Sequence, residues 1–419
     1  MASKPNDAQI DAWLGPGGIL KGIRVIDVSQ LIAGPWCASI LGQLGADVIK
    51  VEPPGSGDLL RGLGPQVKGE SVLFLAVNQN KRSLALNLGH PKGRRVLERL
   101  LRVSDVIIQN FRPDVRKRFG LDYQTVQRLN SKVIYVSVTG FGEKGPYTML
   151  PAVDHVIQGM SGLMSLTGWP DGPPVRSGVP LADMVAGLWC FGGVLTALLH
   201  RCKSGHGQKI EVSLLDAAMS LQQIPLTHFL LLGKGPDRSG NSSPYASPAT
   251  IFETSDGYVS VAAFTDRLFV SLCKLLGVEE LASDPRFNSH EARLHNRRAL
   301  EALLAEHFQK NPTAFWVELL ARADIPCGPV NDYPALLADP QVLINGLIKD
   351  VGHRSLGQVR VPGVPIKFSS ISADSPLAAP LLGEHTEEIM GELGFGRDEI
   401  EEFEKEGVVS QRREAASDS

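Results

Sequence analysis

The 419-residue chain has no excess of positive charge. Its 42 Lys and Arg stand against 45 Asp and Glu, a net charge of −3. That balance offers no electrostatic footprint for a polyanion, so nucleic acid is not an expected partner. Cysteine is scarce. The five present, Cys37, Cys190, Cys202, Cys273 and Cys327, are odd in number and widely spread, and none forms a CxxC or a Cys/His pair at metal-ligand spacing. They are expected to be reduced core thiols, with neither a disulfide framework nor a metal. Long apolar runs are missing as well. The longest, Val185–Leu199, has 15 residues, three of them glycine, short of the roughly 18 that a membrane span requires. It predicts a buried helix rather than a contact with a membrane. The opening residues, MASKPNDAQIDAWLGPGG, hold no apolar core of signal-peptide length, and a cytoplasmic chain is the expectation.

What is present is alternation. Residues 1–20 read as a loose arm, and GIRVIDVSQ then reads as a short strand. AGPWCASILGQLGADVIKVE reads as a turn, a helix of about four turns and a second strand, Asp47–Glu52. The intervening turn, Leu31 to Pro35, sits where a parallel sheet binds ligands, but it is not GxGxxG and implies no dinucleotide. Further strands are predicted from Ser83 to Leu88, Asp105 to Gln109 and Val133 to Val138, with helices over Pro91–Ser104 and Tyr123–Leu129 between them. Lys81 and Arg82 stand at the mouth of the Ser83 strand, either to hold phosphates or simply solvated. Repetition over about 120 residues predicts an α/β doubly wound sheet. After the strand Lys209–Ser213, residues Leu214–Leu232 read as one long helix. A Gly/Pro-rich linker or lid follows at Gly233, then a smaller lobe with the strand Tyr258–Ala262 and three helices. Strands are expected near Val359 and over Val364–Phe368, and the final RREAASDS as a disordered tail.

The stretch Pro151–Gly187 organises the rest. It is rich in Gly and Pro and leads into the apolar run, and Asp183 stands just before that run. An Asp there is placed as a helix N-cap, where backbone N–H groups and the helix dipole favour its ionised form. An ionised carboxylate beside a Gly-rich stretch is also placed to attack an activated acyl group. The residues alone leave both readings open.

Nine ordered patches bring in a resemblance: DVSQLIAGPWCASILGQLGADVIKVEPPGSGD, NQNKRSLALNL, DVIIQNFRPDVRKRFGLDY, SVTGFGEKGPY, VDHVIQGMSGLMSLTG, SGVPLADMVAG, GHGQKIEVSLLDA, IPCGPV and APLLGEHT. Together, from about Leu20 to Phe395, they resemble the class III CoA-transferases, the family of formyl-CoA transferase, carnitine CoA-transferase and the succinyl-CoA-dependent dicarboxylate enzymes. The resemblance implies a Rossmann-like large domain built from both chain ends, a smaller inserted α+β domain and an interlocked-ring homodimer. On this chain that gives residues 20–215 and 326–400 for the large domain, 216–245 for a linker helix and lid, 246–325 for the small domain and 401–419 for a charged tail. It implies acyl-CoA and a small carboxylic acid as substrates, coenzyme A as the only cofactor-like group, and Asp183 as the nucleophile that forms a covalent aspartyl intermediate. Donor-thioester attack gives a mixed anhydride, and CoA thiolate then gives an aspartyl-CoA thioester. CoA contacts carried over from the family fall on Gln30, Leu31, Ile32 and Ala33, on Leu86, Asn87, Leu88 and Gly89, on Asn110, Phe111 and Arg112, and on Arg118. Asp154 matches an acidic position near the family's active site, and a loop Asp bonding nearby backbone is its other reading.

Two departures bear on substrate. The family's formyl-CoA transferase has a Gln where this chain has Ile32, and an Arg where it has Pro53, and both speak against formyl and oxalate chemistry. PPVRSGVPLAD points towards the succinyl-CoA-using dicarboxylate branch, with Arg61, Arg176 or Arg238 to hold a distal carboxylate. Related α-methylacyl-CoA racemases carry His directly before the Asp. Here the order is Val153-Asp154-His155, which displaces the base by one position. A subunit of a heteromeric transferase is the remaining alternative.

Overall fold

The structure is a computed structural model that describes residues 18–370 and 377–411. The opening arm up to residue 17 and the RREAASDS tail lie outside the described residues. Six short β-rich segments form a parallel sheet: β1 (Arg24–Asp27), β2 (Asp47–Glu52), β3 (Arg82–Leu86), β4 (Val106–Gln109), β5 (Ile134–Thr139) and β6 (Lys209–Ser213). A seventh, β7 (Val409–Ser410), joins β3 in the antiparallel sense. The spatial order is β7-β3-β2-β1-β4-β5-β6. β1 therefore lies beside both β2 and β4, at the point where the sheet changes its direction of growth.

Near-continuous apolar strands need cover on both faces, as parallel sheets do. On one face Val25, Val48, Val106, Ile108 and Val136 pack with helix α1 (Ala33–Gln43) and the long helix α3 (Leu181–Ser204). On the other, Ile26, Ile49, Leu84, Ile107 and Tyr135 meet residues from Pro91–Arg102 and from the C-terminal helices Thr386–Glu392 and Arg397–Lys405. In α3 the buried Ala182, Ala186, Gly187, Cys190, Val194, Ala197 and Leu198 recur at helical spacing. By length and composition α3 could cross a membrane; its buried stripe is the cover of this sheet. Gly187 lets α3 approach α1 closely, since a Cβ there would lie 2.9 Å from the Ala33 carbonyl oxygen.

The chain divides into two compact units. One takes the described parts of Met1–Ser161, Gly178–Leu221 and Gly346–Ser419, the other Gly162–Ser177 and Gln222–Asn345. The divisions fall at residues 161/162, 177/178, 221/222 and 345/346, and the short excursion 162–177 lies within the Gly- and Pro-rich stretch Pro151–Gly187. The second unit has its own core, with a three-stranded antiparallel sheet of Ala249–Glu253, Tyr258–Ala262 and Cys327–Pro329.

Several local expectations need correction. Leu214–Leu232 is two helices, Leu214–Ser220 and Gln223–Leu232, because the chain changes unit between them. Val364–Phe368 is not a strand, whereas Ile348–His353 pairs with Gly357–Pro362 as a hairpin. Cys202 is exposed, and the other four thiols range from buried to half-buried. The Lys81-Arg82 pair neither faces solvent nor awaits phosphate. Lys81 is buried and donates to Asp27, Asn78 and the Pro35 carbonyl, and Arg82 is tied to Asp47, Glu388 and Glu392.

Lys81 belongs to a buried ionic cluster under the carboxyl edge of the sheet. Lys50 donates to Asp58 at 2.7 Å and to the Ser29 carbonyl oxygen, and lies 3.6 Å from Asp27. Burial by itself would pull Lys50 down, but Asp27, Asp58 and Glu52 outweigh it and its pKa rises. Removing one partner of such a cluster strands the others without compensation. Lys50→Met is expected to lose about 3–5 kcal/mol of unfolding free energy, read by equilibrium denaturation; a loss under about 1 kcal/mol would deny the cluster its structural role.

Candidate active site

At the carboxyl edge of the sheet, the segments leaving β1, β4 and β5 surround a cavity of about 210 Å³. Its wall includes Gln30–Ala33 after β1, Asn110–Pro113 after β4, Thr139–Gly140 and Gly142–Glu143 after β5, Leu150–Val153, and Asp183. All belong to the first unit. The fold thus brings together Asp183, Gln30, Leu31, Ile32, Ala33, Asn110, Phe111 and Arg112, which lie up to 153 positions apart in the chain. It leaves others off this wall. Leu86 is buried in the core at the end of β3, with Asn87, Leu88 and Gly89 in the loop that follows. Arg118 ends the short helix Pro113–Arg118, exposed, with its guanidinium 4.9 Å from the Phe119 ring centre. Arg61 is committed to Glu52 through two bonds of 2.7 and 2.9 Å. Arg238 donates to the Trp169 and Gly172 carbonyls, and Arg176 is exposed. None of these three lines the cavity.

Asp183 is not the N-cap of its helix. α3 starts at Leu181 with Pro180 as its cap residue, so Asp183 is the third helical residue. The backbone N–H of Ala182 is satisfied from elsewhere, by Asp154 Oδ1 at 2.8 Å. Asp154 opens helix α2 (Asp154–Met160), buried, and its Oδ2 accepts from Gln158 Nε2 at 2.7 Å. Among the described residues no donor is paired with the Asp183 carboxyl. Burial, and then the Asp154 carboxylate, push Asp183 up to about 7. That reverses the expectation of a carboxylate eased into its ionised form by a cap.

Glu143, on the same wall, goes the other way. Burial alone would raise it, but Lys209, Ser137 and Arg116 all donate to it and hold it down at about 2. Arg116 is thereby spent on Glu143, at 2.5 Å. Arg112 is exposed, and no described residue pairs with its guanidinium. Arg116 and Glu143 were not legible as site residues. Their signal was position alone, since each follows a parallel strand at its carboxyl end. Gln158 had a fainter one, four residues after Asp154 on one helix face.

The turn leaving β1 is strained. Leu31 has φ of +66°, which costs a leucine about 1–2 kcal/mol. It carries the chain from β1 into α1, whose first residue, Ala33, lines the cavity. A His–Asp pair for moving a proton is not assembled here: Val153 occupies the wall and His155 is exposed. Among the described residues no group of three or more His, Cys, Asp or Glu is placed to hold a metal ion.

The raised Asp183 pKa has a consequence for stability. Below about pH 4 the group is neutral in both folded and unfolded chains. Between about 4 and 7 the unfolded chain ionises first, so stability drains as pH rises. Asp183→Asn removes that cost. The variant is expected to match the wild type at pH 4 and to exceed it by on the order of 1–3 kcal/mol at pH 8, as read from paired melting curves. A pH-independent difference would contradict the raised pKa.

Comparison with known proteins places the chain in a family. Residues 20–386 match CoA-transferase family III. Human succinyl-CoA:glutarate CoA-transferase is 36% identical over 394 residues, covering 94% of this chain and 90% of that protein. Acetyl-CoA:oxalate CoA-transferase of Acetobacter aceti is 39% identical over 367 residues, with coverage of 87% and 92%. The crystal structure of a CAIB/BAIF family protein from Brucella suis superposes with a TM-score of 0.82 at 38% identity, covering 90% of this chain and all of that one. With a family match over nearly the whole chain and relatives aligned almost end to end, the chain belongs to CoA-transferase family III and is a CoA-transferase.

Proposed function

We propose that this CoA-transferase works through a covalent intermediate on Asp183, with succinyl-CoA as donor and a dicarboxylic acid as acceptor. The observation that carries the reading is the Asp183 carboxyl, without a described donor and lifted to about 7, on the wall of the cavity at the switch point of the sheet. A carboxylate of that basicity is a better nucleophile than one near 4, and it is still substantially ionised at neutral pH.

In this reading an Asp183 oxygen attacks the thioester carbon, the C–S bond breaks, and CoA leaves as thiolate with an acyl–aspartyl anhydride behind it. The thiolate attacks the Asp183 carbonyl carbon and releases the donor acid, which leaves an aspartyl-CoA thioester. The acceptor carboxylate attacks that carbon, and the thiolate it expels takes the acceptor acyl group, which frees Asp183. Holding each nucleophile beside its target supplies much of the acceleration. Negative charge developing on the thioester oxygen meets the backbone N–H groups at the start of α1, where Ile32 and Ala33 line the cavity. Arg112 is the cation assigned to the CoA phosphates.

The choice of substrates rests on relatives. The human one is named for succinyl-CoA and glutarate, and the Acetobacter one for acetyl-CoA and oxalate, so donor and acceptor panels must cover both. A second copy of the chain is part of the reading. Helix α3 exposes Leu188, Trp189 and Leu199, and Gln223–Leu232 exposes Ile224, Leu230, Leu231 and Leu232, apolar faces that a homodimer would cover.

Asp183→Ala is expected to lower transfer by at least about 10⁴-fold while leaving CoA binding intact. Mass analysis of wild type quenched with labelled succinyl-CoA should place the label on the peptide carrying Asp183; label elsewhere, or near-normal turnover of the variant, would remove the mechanism. The donor half-reaction should lose about tenfold in kcat/KM per pH unit below about 7. In Asp154→Asn, which keeps an acceptor for Ala182 but drops the like charge, that limb should move to lower pH.

A further inference from the structure

Both amide atoms of Asn110 are committed. Its Oδ1 accepts the Gln30 backbone N–H at 3.0 Å, and its Nδ2 donates to the Gln30 carbonyl oxygen at 2.7 Å. A side chain here imitates one rung of strand pairing. The β1–β4 ladder runs through Asp27 opposite Ile108, and Val28 N–H reaches the Ile108 carbonyl. Asn110 then continues the seam to Gln30, between the two strands where the sheet reverses its growth.

One residue further on stands Leu31 in its left-handed conformation. Such a residue persists only when its neighbours over-determine it. Here the two Asn110 bonds fix the residue before it. The Leu31 N–H itself reaches Asp58 Oδ1 at 3.2 Å. Asp58 is only 1% exposed and is held in turn by Lys50. The turn so fixed, Gln30–Ala33, shares a cavity wall with Asp183.

We propose that Asn110 is a positioning residue: it clasps the turn after β1 in its strained form against the cavity of Asp183, and does not use its amide to bind CoA. This rests on the proposed transfer at Asp183, and it gives Asn110 a different task from the ligand contact that the family resemblance implies for this position. The two roles separate kinetically. A lost ligand contact raises KM, whereas a displaced turn lowers kcat, because small misplacements near a reacting centre cost rate more than binding.

The test compares the full-length wild type with Asn110→Ala and with the near-isosteric Asn110→Asp, which keeps an acceptor but sets an oxygen against the Gln30 carbonyl. Three measurements are made: transfer from succinyl-CoA to glutarate, binding of free CoA by calorimetry, and amide hydrogen exchange over residues 28–36. The expected result is a kcat lower by about 10–100-fold, with KM for succinyl-CoA and the CoA Kd within about threefold of wild type, and faster exchange confined to Gln30–Ala33. A raised KM or Kd at unchanged kcat would make Asn110 a ligand contact and overturn the proposal. Unchanged exchange in both variants would overturn it too, because the amide would then hold nothing. A wild type that transfers nothing from either succinyl-CoA or acetyl-CoA would sink the functional reading, while the exchange measurement would still decide the clasp.

Discussion

The sheet grows in both directions from β1, and the site depends on that constraint. β2 and β3 are added on one side, β4, β5 and β6 on the other, so the segments leaving β1 and β4 part company at the carboxyl edge and leave a crevice between them. The residues that line it owe their positions to this divergence. Gln30–Ala33 leave one lip and Asn110–Pro113 the other, with the segments after β5 closing one side. α3 brings Asp183 to the opening because Gly187 allows it to lie directly on α1. The strain at Leu31 comes from turning the chain there, and Asp58, held by the buried Lys50, secures the Leu31 N–H in that turn.

Within the crevice two carboxyl groups are driven apart in acidity by their partners. Glu143 receives Lys209, Arg116 and Ser137 and stays ionised under almost any condition. Asp183 has burial and a like-charged neighbour, and rises to about 7. Burial works in the same direction on both, so the supply of donors decides the difference. Separation of this kind allows one carboxyl to be a structural anion and another to be reactive in the same cavity.

Much of the sheet was legible because its strands are short apolar runs punctuated by turns. Asp47–Glu52 and Lys209–Ser213 fall where the pattern put them, as do the helix Tyr123–Leu129 and the second unit's strand Tyr258–Ala262. The pattern failed where tertiary context overrides it. Apolar periodicity continues through Leu221 and Gln222 although the chain changes unit there, and a charged pair such as Lys81-Arg82 reads as solvated when its carboxylate partners lie 54 and 35 positions away. In the site, Asp183 and the turn after β1 could be picked out. The engagements of Asn110 with Gln30, Arg116 with Glu143 and Asp154 with Ala182 could not, because they join residues 80, 27 and 28 positions apart, brought together only by the fold.

The misplaced cap explains why Asp183 has the character it does. An aspartate that capped its own helix would give its oxygens to backbone N–H groups, and those bonds would stabilise the anion and blunt it as a nucleophile. In this fold that duty passes to Asp154, which reaches across from α2 to the Ala182 N–H and is itself steadied by Gln158. The helix start is satisfied, and the oxygens of Asp183 stay uncommitted. The same carboxylate that relieves Asp183 of the cap also places a negative charge beside it, so one residue both leaves the Asp183 oxygens uncommitted and raises their basicity.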